Sequence, residues 1–105
     1  SDGLAVPLRQ ALEVIEGIEI AAVFGSVAAG SDTGASDIDL LVVGSPDELE
    51  IHDAVSSIEE TLGRPVNYTL ISSSEFRDRV EDGDPFLNRI LAADLIRIIG
   101  DPHAV

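Results

Sequence analysis

Two apolar segments separated by a short polar stretch constrain the fold of this chain more than any other feature. Residues 20–24 are apolar and end at the pair Gly25-Ser26, and residues 37–43 are apolar apart from Asp37 and Asp39. Apolar runs of this length predict buried strands. An unpaired acid in such a strand is costly to bury, so Asp39 indicates a functional site rather than a position in the core.

The spacing of Asp37 and Asp39 predicts a metal site. Alternate side chains of a strand face the same side, so both carboxylates point the same way, about 6–7 Å apart along the strand. Two acids this close repel each other unless a cation lies between them. Mg²⁺ (or Mn²⁺) suits such a site, because a hard cation binds carboxylate oxygens and commonly shares a phosphate ligand. The alternative is a strand end whose acids face solvent.

Gly25 and Ser26 predict a phosphate site beside these acids. Residues 26–29 can form a short helical turn before Gly30. A strand that ends at Gly-Ser and opens a helix presents free N–H groups and the positive end of the helix dipole, and glycine allows close approach to the backbone. The Ser26 hydroxyl adds a donor. The alternative is an ordinary turn, in which Gly and Ser are common for geometric reasons.

The pair Gly25-Ser26, ten residues, and then Asp37-x-Asp39 within the Ser-Asp-Ile-Asp-Leu segment of residues 36–40 resembles the DNA polymerase beta-like nucleotidyltransferase superfamily. The chain looks most like the small minimal nucleotidyltransferase domains. The resemblance implies that Asp37 and Asp39 are catalytic metal ligands and that Gly25, Ser26 and Ser36 contact the nucleotide. Ser36 has the alternative role of capping the loop.

Two departures from the family pattern bear on activity. Catalytic members carry a third carboxylate on a later strand, whereas the polar face of residues 66–71 offers Asn67 and Thr69. Asn67 can give a metal a neutral oxygen, but neither residue can serve as a general base. Many related domains also carry arginines soon after the serine, and here Val27, Ala28 and Ala29 stand there. Arginines elsewhere are the remaining candidates for that phosphate clamp: Arg64, Arg77, Arg79 and Arg89.

Three functional hypotheses follow from the resemblance. The first is an enzyme that transfers a nucleoside monophosphate from an Mg²⁺-bound nucleoside triphosphate to a hydroxyl acceptor. The second is a catalytically impaired nucleotide- or metal-binding regulator, because the chain also looks like domains found fused behind DNA-binding winged helix-turn-helix regulators. The third is an antitoxin-type interaction protein with a helical protein partner.

The charge of the chain limits its partners and its environment. Twenty acidic residues face six arginines, there is no lysine, and the formal net charge is −14. Such a charge destabilises the folded state unless salt screens it, which favours a halophilic origin over a merely acidic protein. The negative charge also argues against direct binding of nucleic acid by this domain. No segment is long enough to span a membrane and no signal peptide is visible, so we expect a cytoplasmic protein.

The residue pattern predicts one α+β domain over residues 1–105, with a small mixed sheet of about four strands and helices packed on it. The first helix should end at Gly17 and hold Pro7 in its first turn, and the second should have Ser45 at its N-cap and Leu49 in its buried stripe. Ser72 and Asp84 should begin the last two helices. The predicted helices are 4–16, 46–62, 73–82 and 86–93, and the predicted strands are 19–24, 37–43, 66–71 and 95–99.

Overall fold

The computed structural model describes residues 2–32, 34 and 36–104. Residues 33 and 35, which belong to the polar stretch between the two apolar segments of the sequence, lie outside these ranges. No helix in the described ranges has the length and apolar character needed to cross a lipid bilayer. The elements follow in the order α1 (Asp2–Leu12), β1 (Ile18–Phe24), α2 (Gly25–Ala29), β2 (Ile38–Gly44), α3 (Glu48–Leu62), β3 (Val66–Ile71), α4 (Ser73–Glu81), α5 (Pro85–Ala92) and β4 (Ile96–Ile99).

The four strands form one mixed sheet in the order β3-β2-β1-β4. β1 runs antiparallel to both β2 and β4, whereas β2 and β3 are parallel. The parallel pair requires a crossover connection, and α3 supplies it. The predicted α+β fold with a small mixed sheet is confirmed, and each strand begins and ends within one residue of its predicted bounds.

Helices cover both faces of the sheet, which explains why β2 is almost continuously apolar. On one face, Leu40 and Val42 of β2 pack with buried residues of α1 and α3. On the other, which we call the α4–α5 face, Leu41 and Val43 pack with buried residues of α4 and α5. Since side chains alternate along a strand, Asp39 lies on the α4–α5 face.

The structure differs from the prediction at both ends of α1. The helix begins at Asp2, so Pro7 lies in its interior rather than in its first turn. Pro7 therefore leaves one carbonyl of the preceding turn without its helical hydrogen bond. The helix ends at Leu12 instead of residue 16, because the chain must reverse before Ile18 in order to pair with Gly44.

The start of α3 was also predicted wrongly. Asp47, not Ser45, is the N-cap, and its side chain accepts a hydrogen bond from the Glu50 amide. The Ser45 amide donates a hydrogen bond to the Gly17 carbonyl, so Ser45 remains beside the end of β2 and does not begin the helix. Leu49 is 68% exposed and Ile51 is buried instead. Two residues apart on a helix lie on different faces, so Leu49 cannot share the stripe that contains Ile51.

Candidate functional site

Three neighbouring strands place Phe24, Asp39 and Asn67 in one row across the sheet. Asp39 of β2 pairs with Phe24 at the end of β1 and, on its other side, with Asn67 of β3. Residues directly opposite each other on neighbouring strands share a face of the sheet, so all three lie on the α4–α5 face. Tertiary structure thus brings together residues from three separate parts of the sequence.

Asn67 also contacts the second predicted metal ligand. Asp37 immediately precedes β2, and its Oδ2 accepts a hydrogen bond of 3.0 Å from Asn67 Nδ2. Asp37 and Asn67 are exposed, and Asp39 is half-buried. The two aspartates are therefore linked through Asn67, by a hydrogen bond to one and by strand pairing to the other.

The backbone of Gly25 lies against the Asp39 carboxylate. Gly25 has a φ of +75°, and a Cβ added to it would overlap Asp39 Oδ2. Only glycine fits there without strain or displacement of the carboxylate. Ser26 follows as an exposed residue, and no side chain caps the start of α2. Since α2 has only five residues, its dipole is small, and the backbone N–H groups and the Ser26 hydroxyl are the main donors.

Neither aspartate is neutralised by an arginine within the described part of the chain. The arginine ion pairs found there involve other acids, namely Glu13, Asp32, Glu75, Asp84 and Asp101. Had Asp37 and Asp39 been held by arginines, they would be structural ion pairs and unsuited to a cation. Their freedom from such partners leaves both carboxylates able to bind one.

The described residues contain no cluster of three or more Asp, Glu, His or Cys side chains placed to hold a metal. Asn67 is level with Asp39, whereas Thr69 pairs with Leu41 and lies farther along β3. Glu75 at the start of α4 pairs with Arg79 at 3.2 Å, so its carboxylate is engaged within that helix. The protein therefore offers two carboxylates and an amide. This set fits Mg²⁺, which commonly takes one or two carboxylates and completes its shell with phosphate and water.

Arg64 holds the loop that leads into Asp37, a role that the sequence did not indicate. Its guanidinium donates to the Ser36 carbonyl at 2.6 and 3.0 Å and to Asp32 Oδ1 at 2.8 Å. Partial desolvation would raise the pKa of Asp32, but hydrogen bonds from Ser36, the Gly34 amide and Arg64 lower it below 3.8. The Arg64 side chain thus fixes the backbone at Ser36. The bonded residues are about thirty positions apart, and no local pattern signals that contact.

The other arginines weighed as phosphate clamps are also placed by the structure. Arg79 forms ion pairs with Glu75 of α4 and with Asp84, the N-cap of α5. Arg77 and Arg89 are exposed and line two different surface grooves, of which the Arg89 groove includes Gly25. Of the four arginines, Arg89 is therefore the one that shares a groove with a predicted phosphate-site residue.

The chain matches a known protein family over most of its length. The family described as "Polymerase beta, Nucleotidyltransferase" matches residues 8–87, which include every residue of the site. No curated protein matches the sequence of the chain.

Solved structures of toxin–antitoxin complexes share the fold. A chain from a toxin–antitoxin structure with AMP-PNP is 16% identical, with a TM-score of 0.60, covering 99% of this chain and 77% of that one. A chain from the tri-AMPylated Shewanella oneidensis HEPN toxin in complex with MNT antitoxin is 14% identical, with a TM-score of 0.59 and coverages of 98% and 75%. A chain from the MntA-HepT complex is also 14% identical, with a TM-score of 0.58 and coverages of 99% and 76%.

Proposed function

Because this chain belongs to the polymerase beta nucleotidyltransferase family, we propose that it binds a nucleoside triphosphate together with Mg²⁺ or Mn²⁺ and transfers the nucleoside monophosphate to a hydroxyl group. One observation carries the proposal: Gly25, Asp39, Asn67 and Asp37 meet on one face of the sheet. In the transfer, the hydroxyl oxygen forms a bond to the α-phosphorus while the bond from that phosphorus to the α,β-bridging oxygen breaks. Pyrophosphate leaves, and the hydroxyl proton passes to solvent.

Each residue of the site has a separate part in this proposal. Asp37 and Asp39 hold the divalent cation, which neutralises phosphate charge when it is bound. Gly25 lets the phosphates approach the backbone, and Ser26 donates a hydrogen bond from its hydroxyl. Ser36, whose carbonyl accepts two hydrogen bonds from Arg64, contributes by fixing the loop ahead of Asp37. The chemistry then depends on positioning and charge neutralisation more than on covalent catalysis.

The structural neighbours suggest a nucleotide and an acceptor. One of the related structures contains AMP-PNP, and another contains a tri-AMPylated toxin in complex with an antitoxin. We therefore propose ATP as the first nucleotide to test and a protein side chain as the first acceptor class. A helical protein partner would supply that acceptor.

Asn67 favours a second candidate function, nucleotide binding without turnover. It occupies the position level with Asp39 on β3, and its amide donates a hydrogen bond to Asp37. An amide cannot take the proton of an attacking hydroxyl. In this candidate the domain binds the nucleotide–metal complex and regulates a partner or a fused DNA-binding domain.

Calorimetric titration separates these candidates. Each of the four nucleoside triphosphates is titrated with Mg²⁺ or Mn²⁺ into the wild type and into Asp37→Asn, Asp39→Asn and Asp94→Asn. Asp94 is exposed and makes no hydrogen bond or ion pair with the described residues, so Asp94→Asn matches the change in charge away from the site. We expect each site variant to bind the metal–nucleotide complex about tenfold more weakly or worse, and Asp94→Asn to bind like the wild type.

Turnover is then measured as pyrophosphate release. Release that depends on Asp37 and Asp39 supports the transferase, and metal-dependent binding without release supports the regulator. Binding that is equally strong in the wild type and both site variants would contradict both.

A further inference from the structure

A groove of about 400 Å³ opens beside the candidate site, between the end of β1 and α5. Its lining is mostly apolar and consists of Phe24, Gly25, Phe86, Arg89, Ile90 and Ala93. Its volume lies within the range typical of small-molecule sites, about 300–1,000 Å³. Because Gly25 lines the groove and also touches Asp39, the groove and the two-aspartate site are contiguous.

Two phenyl rings give the groove an apolar corner. The rings of Phe24 and Phe86 meet edge to face, with centroids 5.9 Å apart and an interplanar angle of 86°. Both residues are half-buried, so part of each remains open to the groove. Fixed aromatic rings of this kind favour a flat, apolar ligand that can stack or pack edge-on.

Arg89 supplies the groove with a cation. It is exposed, and none of the ion pairs or side-chain hydrogen bonds in the described residues involves it. Arg89 therefore places a positive charge beside the rings of Phe24 and Phe86 without an acidic partner among the described residues. A guanidinium group stacks on π systems as well as binding anions, so Arg89 complements an electron-rich ring.

We propose that this groove is the nucleobase subsite, an inference that rests on the proposed nucleotide binding. A nucleotide whose phosphates lie at Gly25 and the two aspartates has this apolar groove next to it, because Gly25 lines the groove. The base packs against Phe24 and Phe86 and stacks with the Arg89 guanidinium. Because stacking accepts every base, the site prefers a nucleoside triphosphate over a bare polyphosphate more strongly than it prefers one base over another.

The test compares ligands with and without a base. Mg²⁺ complexes of ATP, CTP, GTP and UTP, and of inorganic tripolyphosphate, are titrated into the wild type, Ala93→Phe, Ala92→Phe, Arg89→Gln and Arg77→Gln. Ala93→Phe fills the groove from an exposed position without removing a core contact, and Ala92 is an exposed neighbour outside the groove. Arg77→Gln is the matched loss of one exposed arginine from a different groove.

We expect the wild type to bind nucleoside triphosphates about tenfold more tightly than tripolyphosphate, as one stacked base would provide. Ala93→Phe and Arg89→Gln should abolish this preference and leave tripolyphosphate affinity unchanged, whereas the two control variants keep it. A preference that survives Ala93→Phe overturns the subsite. The subsite is also overturned if Arg89→Gln weakens the binding of nucleoside triphosphates and of tripolyphosphate equally, because Arg89 then acts as a phosphate clamp. If no ligand binds the wild type, the proposed function fails together with the subsite.

Discussion

At the scale of single residues, Gly25 is the most constrained position of the site. Its backbone conformation is rarely adopted by residues that carry a Cβ, and the space for that Cβ is occupied by Asp39 Oδ2. Gly30, at the other end of α2, has nearly the same φ, +78°, but no atom within 4 Å of its added Cβ. The two glycines therefore separate the effect of backbone strain from the effect of contact with Asp39.

We predict different outcomes for Gly25→Ala and Gly30→Ala. Both substitutions should lower the free energy of unfolding by about 1–2 kcal/mol, because each places a Cβ in the left-handed region. Only Gly25→Ala should also displace Asp39 and weaken metal–nucleotide binding. Denaturant unfolding and calorimetric titration of both variants test this. Equal losses of nucleotide affinity in the two variants would show that contact with Asp39 is unimportant.

At the scale of elements, polar side chains at helix starts and loop ends fix the positions of the helices and loops that form the site. Asp84 caps α5 by accepting a hydrogen bond from the Leu87 amide, and it also pairs with Arg79 of α4. The Leu87 amide and then Arg79 lower the pKa of Asp84 below 3.8. Since α5 forms one wall of the proposed groove, this cap fixes part of the site.

The cap of α5 predicts a specific pH dependence. A carboxyl whose pKa is lower in the folded state stabilises the protein above its unfolded pKa, and this contribution is lost as pH falls through the folded value. Wild type should therefore be more stable than Asp84→Asn at pH 7, and the difference should vanish towards pH 2. Asparagine still caps the helix, so the comparison isolates the charge.

Thermal unfolding of both proteins between pH 2 and pH 7 measures this difference, with Asp94→Asn as the control for loss of an acid without such partners. A difference between wild type and Asp84→Asn that is the same at pH 2 and pH 7 would contradict the assignment.

At the scale of the whole molecule, net charge is the dominant feature. A formal charge of −14 on 105 residues produces repulsion that no single ion pair offsets. The arginine ion pairs in the described residues are exposed or half-buried, and the Arg64–Asp32 pair is the most buried of them, with side chains that are 13% and 17% exposed. Exposed pairs contribute little to stability, so screening by salt is the main way to reduce the repulsion.

We predict that the unfolding temperature rises steadily as KCl is raised from about 0.1 M to about 1 M, because the Debye length falls from about 10 Å to about 3 Å. Differential scanning calorimetry measures this, with a neutral osmolyte at matched osmolality as the control for solvent effects other than screening. An unfolding temperature that is constant or falls over this range would argue against adaptation to high salt.

Much of the fold followed from local sequence. All four strands were predicted: β1 and β2 from apolar runs that burial on both faces leaves, and β3 from the alternation of apolar residues with Asn67 and Thr69. Ser72 and Asp84 marked helix starts correctly, since capping depends on a few adjacent residues. The start of α3 and the end of α1 were missed, because the contact between Gly17 and Ser45 joins distant parts of the chain.

By itself, the sequence determined that Asp37 and Asp39 precede or open a buried strand and that Gly25 and Ser26 follow another. The tertiary structure alone decided which partners each of them has. The pairing of β3 beside β2 puts Asn67 against Asp37, Arg64 reaches back to the loop, and α5 brings Arg89 and Phe86 to Gly25. The physical reason is that alternation and capping act over a few residues, whereas strand order and helix packing are set by burial of the whole core.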